Sequence, residues 1–445
     1  MKITIVGAGR VGSHLAKYFV DEQQDVFLVD RSADNLSILE SDFNLRTFVG
    51  DPTDFTILRE ANSENADVFV AVTSNTSENL VACAMAKSMG AGKTIARVDK
   101  FSFMKSHNDE VVKRMGVDHV VFPDYLAAQT VVNSLSHGWC QSWTEFDDGS
   151  IIMVAVNVED NSDICGQYLK ELAADSKVLH VSALRRNHKT IIPGGNDRIM
   201  AGDVLYITLT PSATERVKSL IGFSPSPIKN VILMGGSMVT ELITRISDRD
   251  FSYVIIDKDK TRCRELMESC EKSEILCGDA SEFDVLEEAG INRCDAFVAL
   301  TDNTESNILS CITAMDMGVN KTIAEVEKEQ LIAKAESFKL STIINKPFIT
   351  ANAIFQLILD SGVDSSKCFS LWDAEVARLK IKEDSFLSKA SVKDLKLPNE
   401  LTFAGRIRNG VGEMVTGDTH FLAGDEVIVF CMAGALKKVQ KLFGK

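Results

Sequence analysis

The stretch ITIVGAGRVG, residues 3–12, places a run of β-branched residues directly before a G-x-G-x-x-G motif. A predicted helix, Val11–Glu22, follows at once, and the next predicted strand, Asp25–Asp30, ends in an aspartate. The glycine motif alone is a weak signal. Between a strand and a helix, with an acid ending the following strand, it predicts a dinucleotide-binding fold.

Short β-rich runs alternate with amphipathic helical stretches on both sides of this motif, through the first 136 residues. The predicted strands are Lys2–Val6, Asp25–Asp30, Arg46–Val49, Asp67–Thr73, Thr94–Val98 and His119–Phe122. The predicted helices are Val11–Glu22, Ser32–Phe43, Thr76–Met89 and Asp124–Ser136. This alternation predicts a Rossmann-type, doubly wound parallel sheet.

The pattern changes after about residue 150 to strands joined by tight connections. The predicted elements are strands at 151–158, 177–185 and 203–210, a short helix at 167–173 and a closing helix at 214–221. They indicate a small α+β module. The Pro- and Ser-rich segment Ser224–Asn230 then reads as a linker.

The sequence then repeats itself. DVFVAVTSNTSENL (67–80) and DAFVALTDNTESNI (295–308) share eight of fourteen residues, and VILMGG from Val231 repeats the strand and glycine turn. The predicted fold class is therefore α/β, a tandem duplication of a doubly wound parallel-sheet domain followed by a small α+β module. The predicted domains are 1–137, 138–223, 230–362 and 368–445.

Composition limits the function. The net charge of −15 disfavours a protein that coats nucleic acid, so no nucleic-acid partner is expected. No window approaches the ~20 apolar residues of a membrane-spanning helix. The ten cysteines contain no C-x-x-C pair, and this usage favours a reducing cytosol.

The glycine motif predicts the main ligand site. Gly7 permits a tight turn, Gly9 lets a pyrophosphate approach the backbone, and Gly12 allows close packing of helix on strand. The helix N-terminus supplies N–H groups for phosphates. Asp30 suits the ribose hydroxyls and would repel a 2′-phosphate, which favours NAD or an adenosine nucleotide over NADP. The residues assigned to this part of the site are Gly7, Ala8, Gly9, Arg10, Val11, Gly12, Asp30 and Arg31.

Further candidates follow later strands, because ligands of open α/β sheets bind at the carboxyl ends of the strands. They are Gly50, Asp51, Thr73, Ser74 and Arg97. Arg97 would place a guanidinium on a phosphate; a surface salt bridge is the alternative. Thr73 would contact phosphate or ribose; a turn that caps the next helix is the alternative.

The second copy has changed at corresponding points. Aligned on the strand, Gly7 becomes Met234, Gly9 stays Gly236, and Gly12 becomes Val239. Arg97 becomes Glu325, which would repel a phosphate. We therefore expect weaker binding, a different ligand, or none. The candidate residues here are Gly235, Gly236, Asp257, Asp279 and Thr301.

The layout, with IVGAGRVGSHLA, VFLVDRS, GDPTD and the D-x-F-V-A-[VL]-T-x-N-T-x-x-N segment in each half, resembles the NAD-binding peripheral subunits of bacterial Trk potassium-uptake systems (TrkA family). This family is built from RCK (KTN) domains, so the small modules would be of the RCK C-terminal type. The resemblance implies a cytoplasmic regulator that binds NAD(H) and/or ATP/ADP. It would form a ring, expected to be a homotetramer, on the inner face of the cell membrane. There it would gate potassium uptake through an integral-membrane Trk/Ktr-type subunit.

The sequence leaves two other functions open. An NAD-dependent oxidoreductase needs a general acid or base at the nicotinamide, but His180, His188 and His420 have no evident carboxylate partner. No catalytic residue and no metal ligand is therefore assigned. The small modules at 151–222 and 369–443 could instead sense a small ligand, an ion or a nucleotide. A cation would use Asp160, Asp163 and Asp203, although acids in turns are usually solvated.

Overall fold

The computed structural model describes residues 1–42, 45–223, 227–359, 368–371, 374–395, 397–432 and 434–443. The chain forms two compact units: Met1–Ala127 with Asn345–Ser361, and Ala128–Ile344 with Gly362–Lys445. The four domain ranges proposed from the sequence remain a prediction. The linker prediction falls partly on residues 224–226, outside the described residues.

The first unit is built on a six-stranded parallel sheet in the order β3-β2-β1-β4-β5-β6. We call this sheet and its helices the first lobe. Its strands are β1 (Lys2–Val6), β2 (Asp25–Asp30), β3 (Arg46–Val49), β4 (Val68–Ala71), β5 (Lys93–Arg97) and β6 (His119–Val121). Its helices are α1 (Arg10–Asp21), α2 (Ala33–Asp42), α3 (Phe55–Glu60), α4 (Thr76–Met89) and α5 (Asp109–Arg114), and α6 (Pro123–Ser136) continues into the second unit. The strand order reverses between β1 and β4, the point where open α/β sheets bind ligands.

The first small module is a five-stranded antiparallel sheet in the order β10-β9-β11-β8-β7. Its elements are β7 (Ser142–Phe146), β8 (Ile151–Asn157), β9 (Leu179–Arg186), β10 (Lys189–Ile191), β11 (Val204–Leu209) and α7 (Thr214–Leu220). The apolar residues of β8 and β11 are buried, which explains their long hydrophobic runs.

The second lobe repeats the six-stranded parallel sheet, in the order β14-β13-β12-β15-β16-β17. Its strands are β12 (Asn230–Met234), β13 (Ser252–Asp257), β14 (Glu274–Cys277), β15 (Ala296–Ala299), β16 (Lys321–Glu325) and β17 (Thr342–Ile344). Its helices are α8 (Met238–Ile246), α9 (Lys260–Ser269), α10 (Phe283–Glu288), α11 (Thr304–Asp316) and α12 (Glu329–Ser337).

The helix after the second lobe, α13 (Lys346–Leu359), belongs to the first unit. It packs along α1: the rings of Tyr18 and Phe355 lie 4.3 Å apart, and those of His14 and Phe348 lie 5.4 Å apart. Lys93 Nζ donates to the carbonyl of Leu357 at 2.7 Å, at the helix end where a cation is favourable. The first lobe is thus completed by a helix that is distant in sequence.

The second small module is a five-stranded antiparallel sheet in the order β18-β19-β22-β20-β21. Its elements are β18 (Cys368–Leu371), β19 (Ala374–Lys380), β20 (Leu401–Arg408), β21 (Val411–Met414), β22 (Glu426–Met432) and α14 (Leu436–Leu442). One apolar cluster joins the two module sheets, with Met153 and Tyr206 from the first and Ile407 and Phe430 from the second. The modules therefore share a core.

These sheets confirm the predicted fold class, a duplicated doubly wound parallel sheet with a small module after each copy. Strands β1, β2 and β3 begin and end where the sequence predicted, whereas α3, α5, β7 and β10 in the first half of the chain were not predicted. The two helices have six residues each, too short for a clear helical period. Among the described residues, no helix has the length and apolar character needed to cross a membrane.

Candidate nucleotide site

The glycine turn of the first lobe has the geometry that its sequence predicts. Gly7 follows β1 with φ +100°, in the region that favours glycine, and its N–H donates to the carbonyl of Val29 at 2.8 Å. A Cβ on Gly12 would lie 1.7 Å from the Gly7 carbonyl oxygen. Only glycine at this position lets α1 approach the turn so closely.

The N-terminus of α1 is open. Gly9 is its N-cap residue, and its first turn contains no acid; in the described part of the chain, no side chain caps the helix. Among the same residues, no atom would lie within 4 Å of a Cβ built on Gly9. The space next to the first N–H groups of the helix is thus available to a ligand, and the helix dipole favours an anion there.

Asp30 closes the turn from the neighbouring strand. One carboxylate oxygen accepts from the Ala8 N–H at 2.6 Å, and the other accepts from the Ser32 N–H at 2.8 Å. Each oxygen of an ionised carboxylate has two lone pairs, so each can accept one further hydrogen bond. Asp30 therefore fixes the glycine turn and remains able to accept from ribose hydroxyls.

An ion-pair cluster forms the rim beside Asp30. Arg31 contacts Asp51 at 2.9 Å and Glu78 at 2.8 Å. Hydrogen bonds from Thr53, followed by the contact with Arg31, hold the pKa of the Asp51 carboxyl below its usual value. The hydrogen bond to Asp51 and the charge of Glu78 raise the pKa of Arg31. Arg31 and Asp51 were predicted from the sequence to lie at this edge of the sheet, whereas Glu78 was not.

Thr73 is held by a residue that sequence reasoning overlooked. The side-chain oxygen of Asn79 accepts from the Thr73 N–H at 3.0 Å and from the Thr73 hydroxyl at 2.8 Å. The Asn79 amide donates to the carbonyls of Thr73 at 3.0 Å and Arg97 at 2.9 Å. Thr73 thus belongs to a structural turn, the alternative that its sequence context left open. The repeated asparagine ending the T-x-N-T-x-x-N segment was the available signal.

The remaining first-lobe candidates lie at the same edge. Gly50 follows β3, and its N–H donates to the Asp30 carbonyl at 2.9 Å; Ser74 is exposed beside Thr73. The Arg97 side chain is half-buried, and among the described residues its guanidinium has neither a hydrogen bond nor an ion pair. A cation in this state is suited to receive an anionic ligand group.

In the second lobe, the structure corrects the alignment of the glycine motif by one residue. Gly235, at φ +98°, occupies the turn position of Gly7, since its N–H donates to the strand carbonyl of Ile256 at 2.8 Å. Met234 is the last residue of β12 and not the turn residue, because β12 spans Asn230–Met234 as β1 spans Lys2–Val6. The predicted alignment of Gly7 with Met234 was therefore wrong.

With this register, the second and third glycines of the motif correspond to Ser237 and Thr240. Val239 corresponds to Val11, and Gly236 to Ala8. The Ser237 side chain caps α8 by accepting from the Thr240 N–H, and the Thr240 hydroxyl donates to the Gly235 carbonyl at 2.5 Å. Since Thr240 has the Cβ that Gly12 could not accommodate, α8 is held farther from its turn than α1.

A side chain of the second lobe also covers its glycine turn. Arg262, on α9, donates from Nε to the Gly236 carbonyl and pairs with Glu241, which lies in the first turn of α8. It contacts Glu265 as well, at 2.8 Å. The first turn of α8 therefore contains both an acid, which disfavours a phosphate, and a bound cation.

The other second-lobe candidates keep their structural roles. Asp257 accepts from the Gly236 N–H at 2.6 Å, as Asp30 does from Ala8. Hydrogen bonds from Ser281 hold the pKa of Asp279 below its usual value. Thr301 bonds Asn307 at 2.6 Å, repeating the pair of Thr73 and Asn79. Glu325, at the position of Arg97, is buried.

The small modules give little support to the cation-sensor hypothesis. Asp203 is buried and takes two hydrogen bonds of 2.7 Å from the Arg186 guanidinium, which already supplies the compensating charge. Arg408 and Asp425 repeat this pair in the second module at 2.6 Å. In the part of the chain that the structure describes, no group of three His, Cys, Asp or Glu side chains is placed to hold a metal ion.

Comparison with known families gives a match for every one of the four sheets. The TrkA-N domain model matches residues 3–123 and 231–346, which contain the two lobes. The TrkA-C domain model matches residues 153–222 and 376–444, in the two small modules.

Individual proteins match over their full length. The Trk system potassium uptake protein TrkA of Azorhizobium caulinodans is 26% identical, covering 100% of this chain and 98% of its own. A TrkA homologue of Methanosarcina mazei is 28% identical with 100% of both chains covered.

Among solved structures, a GsuK channel bound to NAD matches with TM-score 0.61 and 16% identity, covering 99% of this chain and 78% of its own. A GsuK structure bound to ADP matches with TM-score 0.51 and 14% identity, covering 81% and 70%. At these identities the structural likeness concerns the fold.

Proposed function

The chain belongs to the family of proteins built from TrkA-N and TrkA-C domains, and on that premise we propose that it is a nucleotide-binding regulatory subunit of potassium uptake. The full-length relatives named as Trk system potassium uptake proteins support this role. The ligand acts by binding. It favours one arrangement of the subunit over another, and the difference in its affinity for the two arrangements sets the effect on transport.

One observation carries the proposal: the first lobe presents an open helix N-terminus, with no acid in its first turn and free space over Gly9. A diphosphate fits there because the N–H groups of α1 are directed towards it. Asp30 accepts from the ribose hydroxyls, and Arg97 adds a cation at the same edge of the sheet. We assign to this site the first-lobe residues predicted from the sequence, with Thr73 contributing through the turn that Asn79 holds and Glu78 added at the rim.

The ligand is NAD(H), ATP or ADP. These molecules share an adenosine and a diphosphate, the two parts that the glycine turn and Asp30 recognise. The solved structures with bound NAD and ADP belong to proteins of the same fold, which supports this ligand class. Asp30 disfavours a 2′-phosphate, so NADP(H) binds more weakly.

Helix α1 connects the ligand to the rest of the first unit. Its N-terminus faces the phosphates, and its opposite side, through His14 and Tyr18, packs on α13. A ligand that shifts α1 therefore changes the packing of α13. Residues 360–367 lead from this helix to the second small module.

Regulation requires a transported ion and a membrane partner. We propose that the chain binds an integral-membrane subunit of the Trk/Ktr type. On the cytoplasmic side of that subunit it assembles as a ring, expected to be a homotetramer. Duplicated lobes suit such assembly, because two similar surfaces in one chain allow closed symmetric contacts. The location of the chain is then cytoplasmic and peripheral to the membrane.

Calorimetric titration of the purified full-length protein with NADH, NAD, ATP and ADP tests the site. Gly9→Glu places a carboxylate in the open space at the helix N-terminus and should abolish binding while the protein stays folded. Gly195→Glu, at an exposed glycine whose built Cβ would lie 3.5 Å from Lys170, an ordinary contact distance, is the folding control. Unchanged affinity in both Gly9→Glu and Asp30→Ala would remove the proposed site.

The oxidoreductase alternative is separated by incubating the protein with NADH and a panel of carbonyl compounds while following cofactor absorbance. A regulator leaves the absorbance constant, whereas sustained turnover would favour the enzyme. Potassium uptake in cells that lack the chain, restored by the wild type but not by Gly9→Glu, tests the transport role.

A further inference from the structure

Two cysteines of the second lobe, Cys263 and Cys277, lie beside the same backbone carbonyl group, that of Asp257. Cys263, on α9, donates its thiol to the Asp257 carbonyl at 3.3 Å, and the Gly278 N–H donates to the same oxygen at 2.9 Å. Cys277, the residue before Gly278, is the cross-strand partner of Asp257. The hydrogen bonds thus place the Cys263 thiol beside the backbone of Cys277.

The two side chains also interact electrostatically. Burial raises the pKa of Cys263 to about 11, and a side-chain hydrogen bond with Cys277 contributes to this shift. Both are free thiols; Cys263 is buried, whereas Cys277 is exposed. An oxidant would therefore meet Cys277 first, with Cys263 beside it as the second sulfur.

We propose that Cys263 and Cys277 form a reversible disulfide when the protein meets a peroxide. The Cys277 thiolate attacks the O–O bond of hydrogen peroxide, an S–O bond forms, and the released hydroxide takes up a proton as water. The Cys263 sulfur then attacks the Cys277 sulfur; the S–S bond forms, the S–O bond breaks, and the hydroxide leaves as water with the Cys263 proton. Two thiols are oxidised and one peroxide is reduced to two waters.

The position of this pair gives the disulfide a structural effect. Cys263 follows Arg262, the residue that covers the second glycine turn, so a bond between α9 and β14 fastens the helix that holds Arg262 in place. Oxidation would thereby keep Arg262 over the glycine turn of the second lobe. In the first lobe, Leu36 and Val49 occupy the corresponding positions, so the site is confined to the second lobe.

Peptide mass spectrometry of the full-length protein tests the pair. Reduced protein is treated with hydrogen peroxide, remaining thiols are alkylated, and the digest is analysed without reductant. We expect a linked peptide containing Cys263 and Cys277, lighter by about 2 Da than the two thiol peptides and lost with dithiothreitol. Sulfinic acid at Cys277 without this peptide, or Cys277 linked to another cysteine, would overturn the proposal.

Variants make the test specific. Cys277→Ser changes an exposed side chain and should remove the linked peptide, as should Cys263→Ala. Cys294→Ser, at a half-buried thiol of the same lobe, should leave it at the wild-type yield. Hydrogen exchange completes the experiment: amides of α9 should exchange more slowly in the oxidised than in the reduced protein. Equal exchange in the two forms would contradict the fastening of α9.

Discussion

The sheets of the two lobes have the same strand order, but the N-termini of α1 and α8, the helices that follow the glycine turns, have different surroundings. In the first lobe, Gly9 leaves the start of α1 open. In the second, Ser237 caps α8, and Arg262 crosses the turn to pair with Glu241. A duplicated fold can thus keep its architecture while its two copies differ in function. In one copy, side chains of the chain itself bind the groups at the helix N-terminus; in the other copy, these groups are available to a ligand.

The strongest test of this difference exchanges the third motif residue. Gly12→Thr introduces the residue found at position 240, but its Cβ would meet the Gly7 carbonyl at 1.7 Å. We expect a loss of about 3 kcal/mol in the free energy of unfolding and loss of nucleotide binding, because α1 must move away.

Thermal unfolding and titration measure these two effects. The reciprocal change, Thr240→Gly, removes the hydrogen bond to Gly235 and a buried side chain from a helix, without any clash, and should cost about 2 kcal/mol. Because the second lobe is not the proposed site, Thr240→Gly should leave nucleotide binding unchanged; retained binding in Gly12→Thr would contradict the close approach of α1 to its turn.

A second test compares equivalent lysines at the start of β5 and β16. Lys321 is buried and donates to the Cys140 carbonyl at 2.8 Å, and burial lowers its pKa to about 8. Because this folded-state pKa lies below that of the unfolded chain, the unfolded state binds the extra proton between them. The contribution of Lys321 to the free energy of unfolding should therefore rise by about 1.4 kcal/mol per pH unit above pH 8, until the unfolded lysine also loses its proton.

The pH dependence of unfolding between pH 7.5 and 9.5 measures this contribution. Compared with the wild type, Lys321→Met should lower the slope of stability against pH by this amount, whereas Lys93→Met in the first lobe, at a partly exposed lysine, should leave the slope unchanged. A slope in Lys321→Met equal to that of the wild type would contradict the contribution of Lys321.

Arg97 gives the third test, since Glu325 occupies its position in the second lobe. Arg97→Met should weaken nucleotide binding about tenfold, the loss of one charge-assisted contact, and leave the unfolding temperature unchanged. Arg59→Met, an exposed arginine on α3, is the matched control for titration. Wild-type affinity in Arg97→Met would place the guanidinium outside the site.

The smallest effect is expected at Arg262. Its pair with Glu241 is part-exposed, with exposed fractions of 27% and 14%, so Arg262→Ala should lower stability by about 1 kcal/mol or less. Arg264→Ala, exposed on the same helix, controls for the loss of charge. If the two variants unfold at the same temperature, the Arg262 contact contributes nothing to the second lobe.

The sequence predicted most of the fold because its strongest patterns are local. The β-branched strand before Gly7, the helix after it and the repeated segment 295–308 each depend on neighbouring residues only. The first-lobe site followed from the same reasoning, because parallel strands bring their carboxyl ends to one edge. The arrangement of α13 on α1 joins residues far apart in the chain, and no short-range pattern reports it.

The second-lobe site was harder to read. An apolar run aligns with itself almost equally well when shifted by one residue, and the sequence alignment placed Met234 in the turn for that reason. The hydrogen bond and the backbone conformation of Gly235, together with the end of β12 at Met234, fix the register. Arg262 lies on the next helix, and its contact with Gly236 depends on how α9 packs.

Binding stoichiometry tests the central difference between the lobes most directly. Titration of the full-length chain with ADP should give one site per chain, absent in Gly9→Glu and unaffected by Arg262→Ala. Two equivalent sites in the wild type, or a full site remaining in Gly9→Glu, would contradict the assignment of the nucleotide to the first lobe.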